Sequence, residues 1–208
     1  MSTAADVIEV MKARASVRKY DPQAKIPQEE LDEILEIATR VPSSWNLQHW
    51  RFLVIASPEM KERLRTIANN QAQVSEASVT VVVLGDLKAN ETARVVYGES
   101  LKKGEISWEV YDRMIGQVDE AYQNNFQFAR DEAMLNAGLA AMQIMLAAKA
   151  KGYDTCPIGG FDRKKLVEAF RVPDRYIPVM LISIGKKAGS VRPTQRLSLD
   201  QVTIRESF

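Results

Sequence analysis

Apolar residues recur at helical spacing along most of this chain and close up into continuous runs at a few places. Ala4 to Ala13 puts Val7, Ile8, Val10 and Met11 on one face, and the pattern stops at the cations and hydroxyls of Arg14 to Tyr20. Asp21-Pro22 breaks the chain. Ile26-Pro27 opens a second helix, with Glu29 and Glu30 in its first turn and Leu31, Ile34, Leu35, Ile37 and Ala38 as its apolar stripe. Ser57-Pro58-Glu59 reads as a cap and helix start, running to about Ala68. Asp131 to Lys151 is the longest helical pattern, carried by Met134, Leu135, Leu139, Met142, Met145 and Leu146 and ended by Gly152. Its small residues, Ala137, Gly138, Ala140, Ala141, Ala147 and Ala148, predict a close approach, either in the core or at a subunit seam. A further helix is predicted from an Asp162 cap to Phe170.

The continuous runs predict strands at Phe52 to Ile55, at Val79 to Leu84 (stopped by Gly85) and at Tyr176 to Ile184, the last split by Pro178. Glu91 to Phe128 is helical but weakly amphipathic, which suits a lid or an insertion. Helices flanking a few strands, without regular βαβ alternation, predict an α+β fold in one domain over residues 1–208. The segment 186–208 forms a C-terminal arm with a second basic cluster, Lys186, Lys187, Arg192 and Arg196.

Composition narrows the function. A hydrophobic share of 46% and a charged share of 26% are ordinary for a globular protein. A net charge of +1 gives no electrostatic case for nucleic acid. One cysteine, Cys156, and one histidine, His49, exclude an internal disulfide and a Cys/His metal site. Met1 to Val10 carries acidic residues and does not read as a signal peptide, and no segment approaches about 20 uninterrupted apolar residues. The expectation is a cytoplasmic protein with no membrane partner. There is no P-loop, no G-x-G-x-x-G and no nucleophile elbow around a serine.

What remains is a combination of polar motifs. Pro42-Ser43-Ser44-Trp45-Asn46-Leu47-Gln48-His49-Trp50 offers neutral donors and acceptors beside broad apolar rings, which suits a flat heteroaromatic ligand. Asn69-Asn70-Gln71-Ala72-Gln73 is a second carboxamide-rich loop, and Pro157-Ile158-Gly159-Gly160 is a tight turn. Arg14-x-Ser16-x-Arg18, with Arg196 brought beside it, would make a phosphate pocket. Taken singly, each has a plainer reading as capping, turn or solvated charge.

Together, Arg14 to Tyr20, Pro42 to Phe52, Pro157 to Gly160 and Arg192 to Val202 resemble, in order, the motifs of the nitroreductase family of FMN-dependent oxidoreductases. The resemblance implies a central mixed, mostly antiparallel sheet flanked by helices, in an intertwined homodimer with FMN at the subunit interface. It also implies NADH or NADPH as electron donor and a small oxidised acceptor, such as a nitroaromatic, a quinone, an enone or free flavin, in ping-pong turnover. A specialised flavin reaction on the same fold, or a flavin-binding protein without turnover, is the alternative.

Carried over by residue, Arg14 and Arg196 would hold the phosphate, with Ala15, Ser16 and Arg18 beside the phosphate, ribityl or pyrimidine portion. Pro42, Ser43, Ser44 and Asn46 would reach the flavin from the partner subunit. Asn70 and Gln73 would contact the ribityl chain and the N1/O2 edge. Pro157 and Ile158 would pack at the ring, with the Gly159 N–H aimed at N5 and Gly160 beside it. No side chain is implied as catalytic acid or base, and no metal. The chain departs from the family pattern at His49, where proline is usual, at Gln73, where some members have lysine, and at Gly159, where some have glutamate. The second departure leaves Arg18 as the candidate cation for the reduced ring.

Overall fold

The computed structural model describes residues 4–208; residues 1–3, part of the acidic Met1–Val10 stretch, lie outside them. The chain runs α1 (Ala4–Ala13), α2 (Gln28–Ala38), a short 3-10 turn (Ser44–Asn46), β1 (Trp50–Ile55), α3 (Pro58–Ile67), α4 (Gln73–Glu76) and β2 (Val79–Asp86). It continues through α5 (Asn90–Lys102), α6 (Trp108–Tyr122), α7 (Phe126–Ala150), β3 (Asp154–Ile158), α8 (Arg163–Phe170), β4 (Tyr176–Gly185) and α9 (Leu199–Val202).

The sheet has the order β1-β2-β4-β3, with every neighbouring pair antiparallel. The expected mixed character is absent from these strand pairs; a parallel bridge, Ser16 to Thr155, is isolated and lies outside them. Strand β2 is buried at all its positions because both faces are covered. Val79, Val81 and Val83 point into a core shared with α2 and α7, whereas Val82 and Leu84 point into a second core with α3 and α8. The period-two alternation thus feeds two layers from one aliphatic run.

The small residues of α7 belong to the core and not to a seam. Ala133, Ala137, Ala140, Ala141 and Ala148 are buried, while Leu135, Leu139 and Met142 face outward. Missing side-chain bulk lets the helix lie close to the sheet, and a Cβ on Gly85 would sit 2.8 Å from the Ala133 carbonyl oxygen. Gly85 therefore lies inside a strand that runs on to Asp86, rather than ending it. Among the described residues, α7 alone has the length and hydropathy of a membrane-crossing helix; half of its most apolar window is buried in this packing.

Among the strands, β3 is the one the sequence pattern does not predict. Pro157 interrupts its reading as a strand, yet β3 is an edge strand, where a missing N–H need not break a ladder. Pro178 sits where the β2–β4 register slips between Val83 and Leu84. Other predicted starts hold: the Ser57 hydroxyl accepts from Met60 N, and the Asp162 carboxylate accepts from Lys165 N. Helix α7 begins earlier than its apolar pattern, capped by Asn125. The Glu91 to Phe128 region resolves into the α5–α6 hairpin and the start of α7.

Candidate functional site

Three groups of predicted residues occupy two edges of the sheet. The first lies along β3. Val17 N donates to Thr155 O at 2.9 Å, so Arg14 to Lys19 run beside that strand, and Ala188 N donates to Lys19 O at 2.9 Å, which draws in the C-terminal arm. Buried Tyr20 pins the strip, its hydroxyl lying 3.1 Å from Ser183 Oγ. A cleft of about 800 Å³ opens between Ser16, Arg18 and Lys19 on one side and Arg192, Thr194 and Gln195 on the other.

Arg14 and Arg18 both act electrostatically on the Cys156 thiol, which puts two guanidinium groups beside β3. Burial pushes that thiol above its ordinary range, and the two arginines offset only part of the effect, so Cys156 sits as a buried, protonated thiol. Neither arginine has an ion-pair partner among the described residues. Arg196 is exposed, and its hydrogen bonds stay within the arm, to Thr194 Oγ1 at 2.8 Å and Gln195 O at 2.9 Å.

The second group is at the C-terminal end of β3. Asn69 and Asn70 both take left-handed backbone, φ 55° and 54°, which asparagine tolerates better than most residues. Asn69 Nδ2 and Gln71 Nε2 donate to Gly160 O at 3.0 and 2.9 Å, and Gln73 Nε2 donates to Gln71 Oε1 at 3.0 Å. The carboxamide loop and the Gly159-Gly160 turn therefore form one unit. Asn69 and Gln71, which sequence reading passed over, make the latch, while Asn70 is exposed. Gln73 is buried at the start of α4 rather than in a loop. A Cβ on Gly159 would meet nothing within 4 Å, so its backbone is open to approach.

The third group, Pro42 to His49, lies before β1, at the opposite edge of the sheet from β3. Trp45, Asn46 and Gln48 have φ of 49°, 55° and 52°, a left-handed cluster that costs on the order of 1–3 kcal/mol per residue unless its surroundings impose it. Gln48 N donates to Ser43 Oγ and Ser44 N to Asn136 Oδ1, both at 3.0 Å. Asn136 is itself buried and donates to Glu132 O at 2.7 Å. The Tyr97 hydroxyl donates to Trp45 O at 2.9 Å.

His49 is fully buried, with Nε2 2.8 Å from the Tyr122 hydroxyl and no partner for Nδ1 among the described residues. Burial lowers its pKa to about 4, against smaller opposing pulls from Glu132 and Asp86, so the ring is neutral at pH 7. Asp86 is buried beneath it in sequence register, its N–H donating to His49 O, and its carboxylate is forked by Arg175 at 2.7 and 2.9 Å. Asn136 had a sequence signal: an amide in the otherwise small and apolar register of α7 must find partners. Tyr97 and Tyr122 had none, because the residues they bind are far away in the chain.

Comparisons with known proteins place the whole chain in one family. The family model described as "Nitroreductase family" matches residues 11–186. YodC of Bacillus subtilis, named as an NAD(P)H nitroreductase, is 52% identical over 198 residues, covering 95% of this chain and 98% of its own. A crystal structure from Exiguobacterium sibiricum, named as a nitroreductase in complex with FMN, superposes with a TM-score of 0.90 at 42% identity, covering 99% of each chain. The CLA biosynthesis enone reductase of Lactiplantibacillus plantarum is 35% identical over 195 residues, covering 92% of this chain and 90% of its own.

Proposed function

The chain belongs to the nitroreductase family, and from that premise we propose that it is an FMN-dependent oxidoreductase. It takes electrons from NADH or NADPH and passes them to a small oxidised acceptor. Nitroaromatics, quinones and enones are the acceptor classes, the last favoured by the likeness to an enone reductase. Residues 1–208 act as one FMN-binding domain in a cytoplasmic homodimer.

One observation carries this reading. The residues proposed for one flavin are divided between opposite edges of a single sheet, with the β3 groups at one edge and Pro42 to Asn46 at the other. That division suits a site shared between two copies, each lending one group to the ring bound by the other across a twofold axis. Such a dimer has an apolar surface to use, since Val7, Ile8 and Met11 of α1 and Leu135, Leu139 and Met142 of α7 are all exposed.

The donor set fits FMN. Arg14 and Arg18 stand without carboxylate partners beside a polar cleft, the arrangement a phosphate dianion would neutralise, and Arg196 on the adjoining arm would join them with Ala15 and Ser16. Pro157 and Ile158 would flank the ring, and Gly159 and Gly160 would present backbone to it. Asn70 and Gln73 would serve the ribityl chain and the N1/O2 edge, and Pro42, Ser43, Ser44 and Asn46 of the second copy would complete the pocket. When bound, FMN would supply the redox chemistry, hydride uptake from the nicotinamide and electron transfer to the acceptor. The chain's part is to hold the phosphate, orient the ring and stabilise negative charge at the N1 edge, where Arg18 is the candidate cation and Gln73 a neutral donor.

Anaerobic addition of NADH or NADPH to the purified protein tests the proposal. Bleaching of a yellow protein, recovery on adding an acceptor, and parallel-line initial-rate plots are expected. A colourless protein that takes up no FMN and runs as a monomer would overturn it.

A further inference from the structure

The α5–α6 hairpin is bound to the Ser43–His49 loop of its own chain at both ends and in the middle. Tyr97 of α5 donates its hydroxyl to Trp45 O at 2.9 Å, and Tyr122 at the end of α6 lies 2.8 Å from His49 Nε2. Between these bonds, Leu47 is fully buried in a cluster with Ala89, Ala93 and Val118. The hairpin is braced in turn: Arg94 forks Asp119 across its two helices, and Arg175 ties Glu91 to the buried Asp86 at its root.

The loop needs such support. A tryptophan at φ 49° is disfavoured by its own Cβ, and two further left-handed residues follow within three positions. Its internal bonds, Asn46 N to Ser43 O and Leu47 N to Ser44 O, form a single tight turn and leave the Trp45 carbonyl to an outside donor. The hairpin meets both needs: it buries a leucine of the loop and caps its strained carbonyl.

We propose that the α5–α6 hairpin is a buttress that holds the flavin-contacting loop in its left-handed form, with Tyr97 and Tyr122 as positioning residues for cofactor binding. The inference rests on the reading that Ser43, Ser44 and Asn46 contact FMN. It gives the hairpin a function in cofactor affinity, apart from any cover it provides over substrate.

Tyr97→Phe and Tyr122→Phe remove one hydroxyl each and keep the packed rings. Two measurements are made: amide hydrogen exchange of residues 44–48 in the apo-protein, and the FMN dissociation constant by flavin fluorescence. Each variant is expected to speed exchange and raise the Kd by about fivefold, the yield of one net hydrogen bond, and the double variant by roughly the product. Lys102→Ala, which cuts an exposed pair in the last turn of α5 that takes no part in the brace, leaves both unchanged. Gln48→Gly relaxes the backbone at φ 52°; in the Tyr97→Phe background it restores affinity toward wild type, and no recovery counts against the proposal. Asn46→Ala separates the two levels. If it weakens FMN binding while both tyrosine variants match wild type, the buttress is refuted and the loop reading stands. If it has no effect, the loop reading fails and the buttress falls with it.

Discussion

The Ser44 N–H donates to Asn136 Oδ1 at 3.0 Å, across a sequence separation of 92 residues. The longest helix thus fixes the backbone of the loop before β1. Asn136 is 1% exposed and gives its own amide hydrogens to the Glu132 carbonyl and carboxylate, at 2.7 and 3.0 Å. Asn136→Leu fills similar space but strands the Ser44 N–H in a part-buried site, at a cost of about 1–3 kcal/mol. Urea unfolding of apo-protein should show that loss, and the FMN Kd should rise as well. An unchanged Kd beside a lowered stability would confine Asn136 to the core.

Gly85→Ala is expected to destabilise by about 1–3 kcal/mol through overpacking. The added methyl would meet a backbone oxygen, Ala133 O at 2.8 Å, and not a side-chain tip that can swing away. Ala133→Gly in the same chain should therefore fail to rescue it, because the clashing atom remains. Thermal unfolding of the single and double variants checks this; full rescue would mean that the Ala133 methyl, 3.0 Å from the same position, is the real obstacle.

Much of this architecture was legible in the sequence, and the gaps have physical causes. Val79 to Leu84 announced β2 because a strand covered on both faces is aliphatic nearly throughout; the exception, Thr80, satisfies its hydroxyl on Val74 O at 2.9 Å. Strand β3 stayed hidden because Pro157 reads as a breaker until one knows that it lies at an edge. The resemblance assigned Arg14 to Arg18 and Pro157 to Gly160 to one ligand; in the fold Ser16 pairs with Thr155 of β3, and Gly160, just past the end of that strand, lies against the carboxamide loop. That Asn69 and Gln71 hold Gly160 could not be read from spacing, since the latch depends on two left-handed residues, Asn69 and Asn70. The division of the motifs between opposite edges is a property of strand order, which no local pattern encodes.

His49 makes stability fall on mild acidification. Its pKa is lowered from 6.5 to about 4 in the folded chain, chiefly by burial, so between these values the unfolded chain binds more protons than the folded one. Stability therefore rises with pH through this window and is lost as pH falls from about 6.5 toward 4. Between pH 7.5 and 5 the loss is about 2 kcal/mol from this residue. His49→Gln, which keeps a polar group near the Tyr122 hydroxyl but does not titrate, should flatten that part of the profile. Chemical denaturation of both proteins across the range decides it; parallel profiles would assign the loss to other groups.

Arg14 and Arg196 make a prediction that separates phosphate recognition from ring recognition. Both are proposed to hold the FMN phosphate, although Arg196 bonds only within its own arm here, to Thr194 and Gln195. Charge-assisted bonds are worth about 1.5–3 kcal/mol, so Arg14→Ala should weaken FMN binding roughly 10- to 100-fold. Riboflavin has the same ring and ribityl chain without the phosphate, so its affinity should hardly change. Arg14→Lys keeps the charge but loses the planar fork, and should fall between wild type and alanine. Arg196→Ala should follow the same pattern, because closing the arm onto a phosphate would exchange its Thr194 bond for a charged one. Equal losses for FMN and riboflavin in either variant would mean that the arginine supports the fold of the cleft and does not bind phosphate.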